Sequence, residues 1–587
     1  MARPIVFFEF GAFRMDVANR LLLREGEPVS LTPKAFDTLS ALVEHRGRVL
    51  AKEELIGLVW PDTFVTEATL SQNIYLLRKA LATAGDRCWI HTHPRRGYRF
   101  DGEVTAVAAE TDRADLGADL GVGGVRSLAV LPLTPLPRDE EGVFLGLGIA
   151  DALITSLSNV RQLSVRPTSA ILRLVDAKET APATAGRELG VEAVLEGTVQ
   201  RHGNRLRVTV QLVSVERGVP LWAESFRGAF TDPFEAQDAI AREVVRRLHL
   251  TLTRQEASTL SRPPTPSPEA HRTYVRGRYA WNRRTAAELR RAIELFRQAV
   301  ADDPAYARAY SGLADALILL PFYGTASPAA TFRQAREAAR RALELDDRLA
   351  EAHTSLAYTD FVHSRDWSAA EEGFHRALER DPAYATAHHW YAFLLTALGR
   401  HEEAIELASR AHGLDPLSLV IGTDLALTYY FAHRLDPALE QLSGVLEVAP
   451  DFGYAHFALA LCHSEAGQHA LAIEAGRRAS RLLADSDAAR AVLGYALARG
   501  GQEREARDML DRRGDGGQPE LAGASHRALL HAGLGDGEAA LGELERSLEE
   551  RSRFVVFLGV WPAFDGLRSD ARLTALLERL GLPAPPG

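Results

Sequence analysis

The sequence predicts a multi-domain chain: an α+β unit at the N-terminus, a second α+β unit, then an all-α array of repeated helix pairs. Three observations carry this. Short strand-like runs precede three amphipathic helices and a hairpin within residues 5–104. Three longer strand-like runs, Ala193 to Gln200, Arg205 to Ser214 and Pro220 to Arg227, lie between two helical patterns. Small residues and prolines recur every 34 positions through the C-terminal half, the mark of stacked supersecondary units. At 587 residues, a prior of about 150 per domain allows roughly four units.

The first unit opens with alternating runs at Val6 to Phe10, Phe13 to Asp16, Arg20 to Leu23 and Val29 to Leu31, split by Gly, Asn and Gly-Glu-Pro turn signals. Thr32 followed by Pro33 is an N-cap with proline at the first helical position. The helix they start buries Phe36, Leu39, Leu42 and Val43 and ends at Gly47. A second helix from Lys52 carries Leu55, Leu58, Val59 and Trp60 before Pro61 stops it. In the third, TEATLSQNIYLLRKAL, the core stripe is Leu70, Ile74, Leu77 and Leu81. Its outer face presents Ala68, Gln72, Tyr75 and Lys79, with Ser71 and Arg78 flanking. The run CWIHTHPRRGYRF then predicts a hairpin turning at Gly97, with Arg95, Arg96 and Arg99 around it. Sheet, helix, helix, long helix and wing in this order make a winged helix-turn-helix. From Glu67 to Phe100, six Lys/Arg face two Asp/Glu, a local +4 on a chain of net charge −10. A basic patch on an acidic protein calls for an anionic partner, and double-stranded DNA is the leading one. A solvated helix beside an ordinary hairpin would account for those two elements alone, but not for the ordered sheet and helices before them.

The segments LTPKAFDTLSALVEHRGRVLAKEELIGLVWPD, LSQNIYLLRKAL and PRRGYRF resemble the OmpR/PhoB-type C-terminal domain of transcriptional regulators, and more closely the ToxR/CadC-like regulators that carry it at the N-terminus. The resemblance implies that the third helix enters the major groove while the wing approaches the minor groove. It also implies that the loop Trp60 to Thr66 contacts RNA polymerase. By position, Ser71, Gln72 and Tyr75 would face bases, and Asn73 and Arg78 phosphates; Lys79, Arg95 and Arg96 complete the expected DNA-binding set. Leu76 stands where many relatives place a basic reader, so their sequence preference does not transfer.

The remaining composition fits signalling in the cytoplasm. The chain has two cysteines, Cys88 and Cys462, in different regions, expected as reduced thiols. MARPIVFFEF lacks the cationic lead and long apolar run of a signal peptide. No window reaches about 18 uncharged apolar residues, so no membrane span is expected. The predicted domains are a winged helix-turn-helix at 1–104, a linker at 105–124, a middle α+β domain at 125–253, repeats at 268–550 and a helical cap at 551–587. In the middle domain SLAVLPL reads as a buried strand, with helices around Leu147 to Leu157, Ala185 to Leu189 and Asp232 to Leu250. FLGLGIADALITSLSN and ELGVEAVLEGTVQRHGNRLRVTVQLVSVERGVPLWAESF resemble the TolB-N-terminal-like (FlgO-like) domain, which brings no catalytic residues.

In the array, Pro382, Pro416 and Pro450 are 34 apart, as are Ala370, Ala404, Ala438 and Ala472, and Tyr358, Ala392, Ala426 and Ala460. Two phases of mostly small residues in one register mean helix pairs packed too closely for large side chains. The pattern resembles tetratricopeptide repeats, which stack into a superhelix. Ala280, Ala292, Phe296, Ala299 and Pro304 fit an earlier unit, an insertion follows around Pro321 to Pro328, and weaker units fill 485–549. The resemblance implies that the first helix of each pair lines a concave face. On that register Phe393, Tyr430, Phe431, Tyr454 and Phe457 form an apolar stripe, with His389 beside them as a further partner-binding candidate and no Lys or Arg among the lining positions. Such a face expects an apolar or aromatic partner and offers no cationic clamp for a carboxylate. Packing of these aromatics within the repeats is the competing expectation.

No enzymatic constellation stands out. His91 and His93 lie on the wing without a nearby Cys or carboxylate cluster, so no metal is expected; no cofactor motif is present, and Gly121 to Gly124 lacks the Lys-Ser/Thr of a phosphate loop. The expected function is a one-component transcriptional regulator whose repeats sense or recruit a protein or ligand. The alternative is an interaction scaffold tethered to DNA without sequence preference.

Overall fold

The computed structural model describes residues 5–16, 21–24, 27–29, 31, 33–60, 67–81, 89–93, 96–108, 125–136, 139–158, 160, 162–172, 181–202, 205–229, 233–248, 250, 252–253, 265–323, 328–484, 486–511, 521 and 523–583. They fall into two compact units, Met1–Val165 with Ala177–Arg262, and Arg166–Asp176 with Pro263–Gly587.

In the first unit, strands β1 (Ile5–Phe10), β2 (Phe13–Asp16), β3 (Leu21–Arg24) and β4 (Glu27–Pro28) form an antiparallel meander. The fourth strand comes earlier than the Val29 to Leu31 run; Val29 instead donates its N–H to Leu22 at 2.7 Å. Helices α1 (Pro33–Glu44), α2 (Lys52–Val59) and α3 (Glu67–Ala80) follow, then the wing strands β5 (Ile90–His93) and β6 (Gly97–Phe100). The core is where the periodicity put it: Phe36, Leu39, Leu42, Val43, Leu55, Val59, Leu70, Ile74, Leu77 and Leu81 are all buried. Leu58 is exposed, at the edge of the stripe that Leu55 and Val59 bury. A cluster of Phe10, Phe13, Trp89 and Phe100, with ring centroids 5.1–6.2 Å apart, ties the meander to the wing.

One boundary needs correcting. Residues 105–124 were expected as linker, but Thr105–Ala108 form strand β7, which pairs antiparallel with β1 and closes the N-terminal sheet. Its backbone finds partners on the open edge of β1, which composition alone cannot reveal. The rest of the expected linker, 109–124, lies outside the described residues.

The middle sheet has the order β10-β8-β11-β12-β13, with β9 beside β11. Its strands are β8 (Ser127–Val130), β9 (Thr134–Leu136), β10 (Ser164–Val165), β11 (Ala193–His202), β12 (Arg205–Ser214) and β13 (Pro220–Ala229). Strands β8, β9 and β10 run parallel to their neighbours, and the three long strands form antiparallel hairpins. Helices α4 (Glu140–Ser158), α6 (Pro182–Glu188) and α7 (Pro233–Arg247) belong with this sheet. Helix α4 is long and apolar enough to cross a membrane, but it buries Leu147, Ile149, Leu153, Ile154 and Leu157. The short helix α5 (Thr168–Leu172), expected with the middle domain, groups with the repeats.

The second unit is a succession of helix pairs: 268–282 with 286–302, 307–323 with 328–345, 350–364 with 367–380, 385–397 with 401–414, 419–431 with 435–448, 453–465 with 469–482, 487–499 with 503–511, and 524–533 with 537–549. Ala370, Ala404, Ala438 and Ala472 are fully buried, as are Ala426 and Ala460, so the phased alanines mark contacts between paired helices. The turn inside a pair carries a left-handed residue at Arg365, Gly399, His433, Gly467, Gly501 and Gly535, with φ between +57° and +77°. Short 3₁₀ turns at Arg553–Phe557 and Pro562–Leu567 and a helix at Ala571–Leu580 end the chain.

Candidate nucleic-acid interface and repeat groove

The amphipathic pattern of α3 sorts its side chains. Tyr75 is 62% exposed, an unusual state for a large aromatic, and Lys79 is exposed four residues on. Ser71 is exposed as well. The side chain of Gln72, and all of Arg95, lie outside the described residues. Arg96 is exposed at the tip of the wing, its N–H donating to the His93 carbonyl at 3.0 Å.

Two residues expected at phosphates have partners or burial within the domain. Asn73 is only 7% exposed, because it sits between Leu70 and Leu77 on the helix surface, at the margin of the core stripe. Arg78 is exposed but committed: its Nε and Nη2 donate to the Ile90 carbonyl at 3.0 and 2.8 Å, and Nη2 donates to Thr92 Oγ1 at 2.7 Å. Arg99 is likewise taken, its Nη2 2.6 Å from Asp101 Oδ2; that guanidinium holds the Asp101 carboxyl below its ordinary range. His91, weighed above as half of a metal pair, lies 3.7 Å from the same carboxylate.

The wing is seated by its glycine. Gly97 has φ +132°, and a Cβ there would come within 1.9 Å of the Leu50 carbonyl oxygen. Leu50 and Tyr98 exchange backbone hydrogen bonds of 2.9 and 3.0 Å. The residue expected for a turn is therefore needed where the wing meets the segment before α2. The sequence reading missed this role.

In the repeats, the aromatic stripe exists but is occupied by the chain itself. Tyr430 is fully buried, with burial raising its hydroxyl well above the ordinary range, and Phe431 is buried beside it. Phe557, from the first 3₁₀ turn of the cap, inserts among Phe361, Phe393 and Phe431, at centroid distances of 6.3, 6.1 and 5.1 Å. Trp561 lies 6.1 Å from Phe431. The Arg553 guanidinium sits 3.5 Å over the Phe322 ring, and Trp367 Nε1 donates to the Leu580 carbonyl at 3.1 Å. His389 and Tyr454 bind opposite oxygens of the buried Asp424, at 2.8 and 2.7 Å, and Phe457 stacks on Tyr454 at 5.7 Å. Each of the six residues expected to meet a partner thus has a neighbour within the array, and Tyr454 and Phe457 stay half-exposed. Nothing in their spacing announces that the C-terminal segment returns to them.

Comparison with known proteins bears on both regions. Residues 26–100 match the family model described as transcriptional regulatory protein, C terminal, and residues 125–243 that described as HilA/YgeH-like transcriptional regulator, second domain. Residues 361–416 and 423–487 match tetratricopeptide repeat models. The chain is 26% identical over 437 residues to the transcriptional regulator HilA of Salmonella typhimurium, covering 72% of this chain and 73% of that protein. It is 32% identical over 234 residues, 39% of each chain, to a Rhizobium meliloti protein whose name includes adenylate cyclase 3. Over 102 residues it is 33% identical to the transcriptional activator CadC of Escherichia coli, covering 17% of this chain and 20% of CadC. The solved DNA-binding domain of that protein, 30% identical, is matched in full by 18% of this chain, with a TM-score of 0.17.

Proposed function

We propose that this chain, built of an OmpR/PhoB-type winged helix, a HilA-like second domain and tetratricopeptide repeats, is a one-component DNA-binding transcriptional regulator. The carrying observation is the outer face of α3, where Tyr75 and Lys79 stand exposed beside a wing bearing Arg96, in a patch of local charge +4 on an acidic chain. In this reading Ser71, Gln72 and Tyr75 read base edges, while Lys79, Arg95 and Arg96 hold the backbone. The loop from Trp60 to Thr66 contacts RNA polymerase, the protein works in the cytoplasm, and no step of the function is catalytic. The repeats recruit a protein through surfaces other than the filled aromatic stripe.

Genome-wide mapping of bound sites, with footprinting of the strongest, tests the reading. A discrete promoter-proximal motif is expected. Occupancy without sequence preference would overturn it in favour of a scaffold that uses DNA as a tether.

A further inference from the structure

We infer that Arg78 is a positioning residue, which fixes the recognition helix to the wing and makes no phosphate contact of its own. The inference rests on the DNA-binding reading above but concerns the internal geometry of the domain.

Three hydrogen bonds run from the Arg78 guanidinium to strand β5: two to the Ile90 carbonyl and one to Thr92 Oγ1. Ser71 lies seven residues earlier, two turns back on nearly the same side of the helix. Its Oγ is 3.4 Å from Tyr98 Oη. Thr92 and Tyr98 are cross-strand partners in the wing. One stripe of α3 therefore meets a single rung of the hairpin at both ends, and the Tyr75 and Lys79 stripe beside it is left facing outward.

A guanidinium suits this place. Its planar fork holds two acceptors in fixed directions, whereas an ammonium is a point charge on a flexible stem. Bonds from a charged donor are also about twice as strong as neutral ones. The base-facing surface of the helix and the cationic wing are thus held in one register. Specificity then depends on Arg78 although it touches no base.

The test uses the full chain and two duplexes, one containing a site selected by the wild type and one scrambled. Arg78→Ala should lower affinity for the selected site roughly ten-fold or more while barely changing the scrambled duplex, since a good base contact discriminates by about that much. Arg78→Lys should not restore the difference, and Thr92→Val, which leaves the charge in place, should show a weaker form of it. A fall by the same factor on both duplexes, a salt slope reduced by about 0.9 and rescue by Lys are the signs of a phosphate contact and would overturn the inference. Hydrogen exchange of the DNA-free chain gives an independent arm. Arg78→Ala should speed exchange in β5 on the order of ten-fold, and Lys79→Ala should not; unchanged exchange also overturns the inference. A wild type with no sequence preference would sink the regulator reading alone, and the exchange arm would still decide the role of Arg78.

Discussion

If Phe557 holds the cap in the concave face of the repeats, its contribution is measurable against its partner Phe431. The two rings are nearly parallel, at 13° and 5.1 Å, and such a pair is worth about 0.5–1.5 kcal/mol beyond its buried area. Phe557 also meets Phe361 and Phe393 edge-on. A fully buried Phe→Ala change costs about 3–5 kcal/mol. Phe557 is half-buried, so its removal should cost about 2–3 kcal/mol, at or below the low end of that range. The double-mutant cycle Phe431→Ala with Phe557→Ala should show a coupling of about 1 kcal/mol, because each single change already removes the shared ring pair. The assay is urea unfolding of the full chain followed by circular dichroism at a helical wavelength, with Phe374→Ala as a comparison. Phe374 stacks on Tyr391 within its own region of the array, so its cost should be independent of Phe557. Additive single effects for Phe431 and Phe557, or a Phe557 cost below about 0.5 kcal/mol, where ordinary surface substitutions fall, would refute the placement of the cap.

Replacing Arg95 and Arg96 with Ala should flatten the dependence of log affinity on log salt by about 0.9 for each phosphate no longer neutralised, measured by gel-shift titration; an unchanged slope removes the wing from the interface. Site selection with Gln72→Ala should return a relaxed motif, and an identical motif would mean that α3 docks in another register. Burial pushes the Asp315 carboxyl up to about 6, against the Arg278 guanidinium 3.3 Å away. Because the folded value lies above the unfolded one, the stability tied to this group is full below about pH 4 and is lost as pH rises through about 6. Relative to Asp315→Asn, the wild type should therefore lose up to about 3 kcal/mol across that window; a flat difference in urea midpoints would count against it.

The periodic features were legible and the returning ones were not. The α3 stripe of Leu70, Ile74, Leu77 and Leu81 and the alanines at 370, 404, 438 and 472 follow from geometry that repeats along one helix or from unit to unit, and all are buried as expected. A further periodic signal lay unused. Gly399, Gly467, Gly501 and Gly535 keep the 34-residue step at the left-handed turn and would have carried the register to the last pair. Arg365 and His433 hide it by adopting the same backbone conformation without being glycine. Asn73 was placed at a phosphate by the resemblance, whereas its helical angle puts it at the margin of the core stripe, where it is buried. The surroundings of Arg78 and of the aromatic stripe were not legible for a different reason: their neighbours Ile90, Thr92 and Phe557 come from segments whose approach no local spacing encodes.

The hydrogen bond from Trp367 to Leu580 joins residues 213 apart, and with Phe557 it changes what kind of solid the array is. An open stack of repeats behaves as a one-dimensional chain, in which each unit feels only its neighbours and the ends fray without disturbing the middle. Here the last segment is a neighbour of the third, fourth and fifth helix pairs through Phe361, Phe393 and Phe431. The terminus is therefore a keystone. Trimming it should loosen the centre of the array before the pairs that adjoin the cut, and the helices between them should melt together.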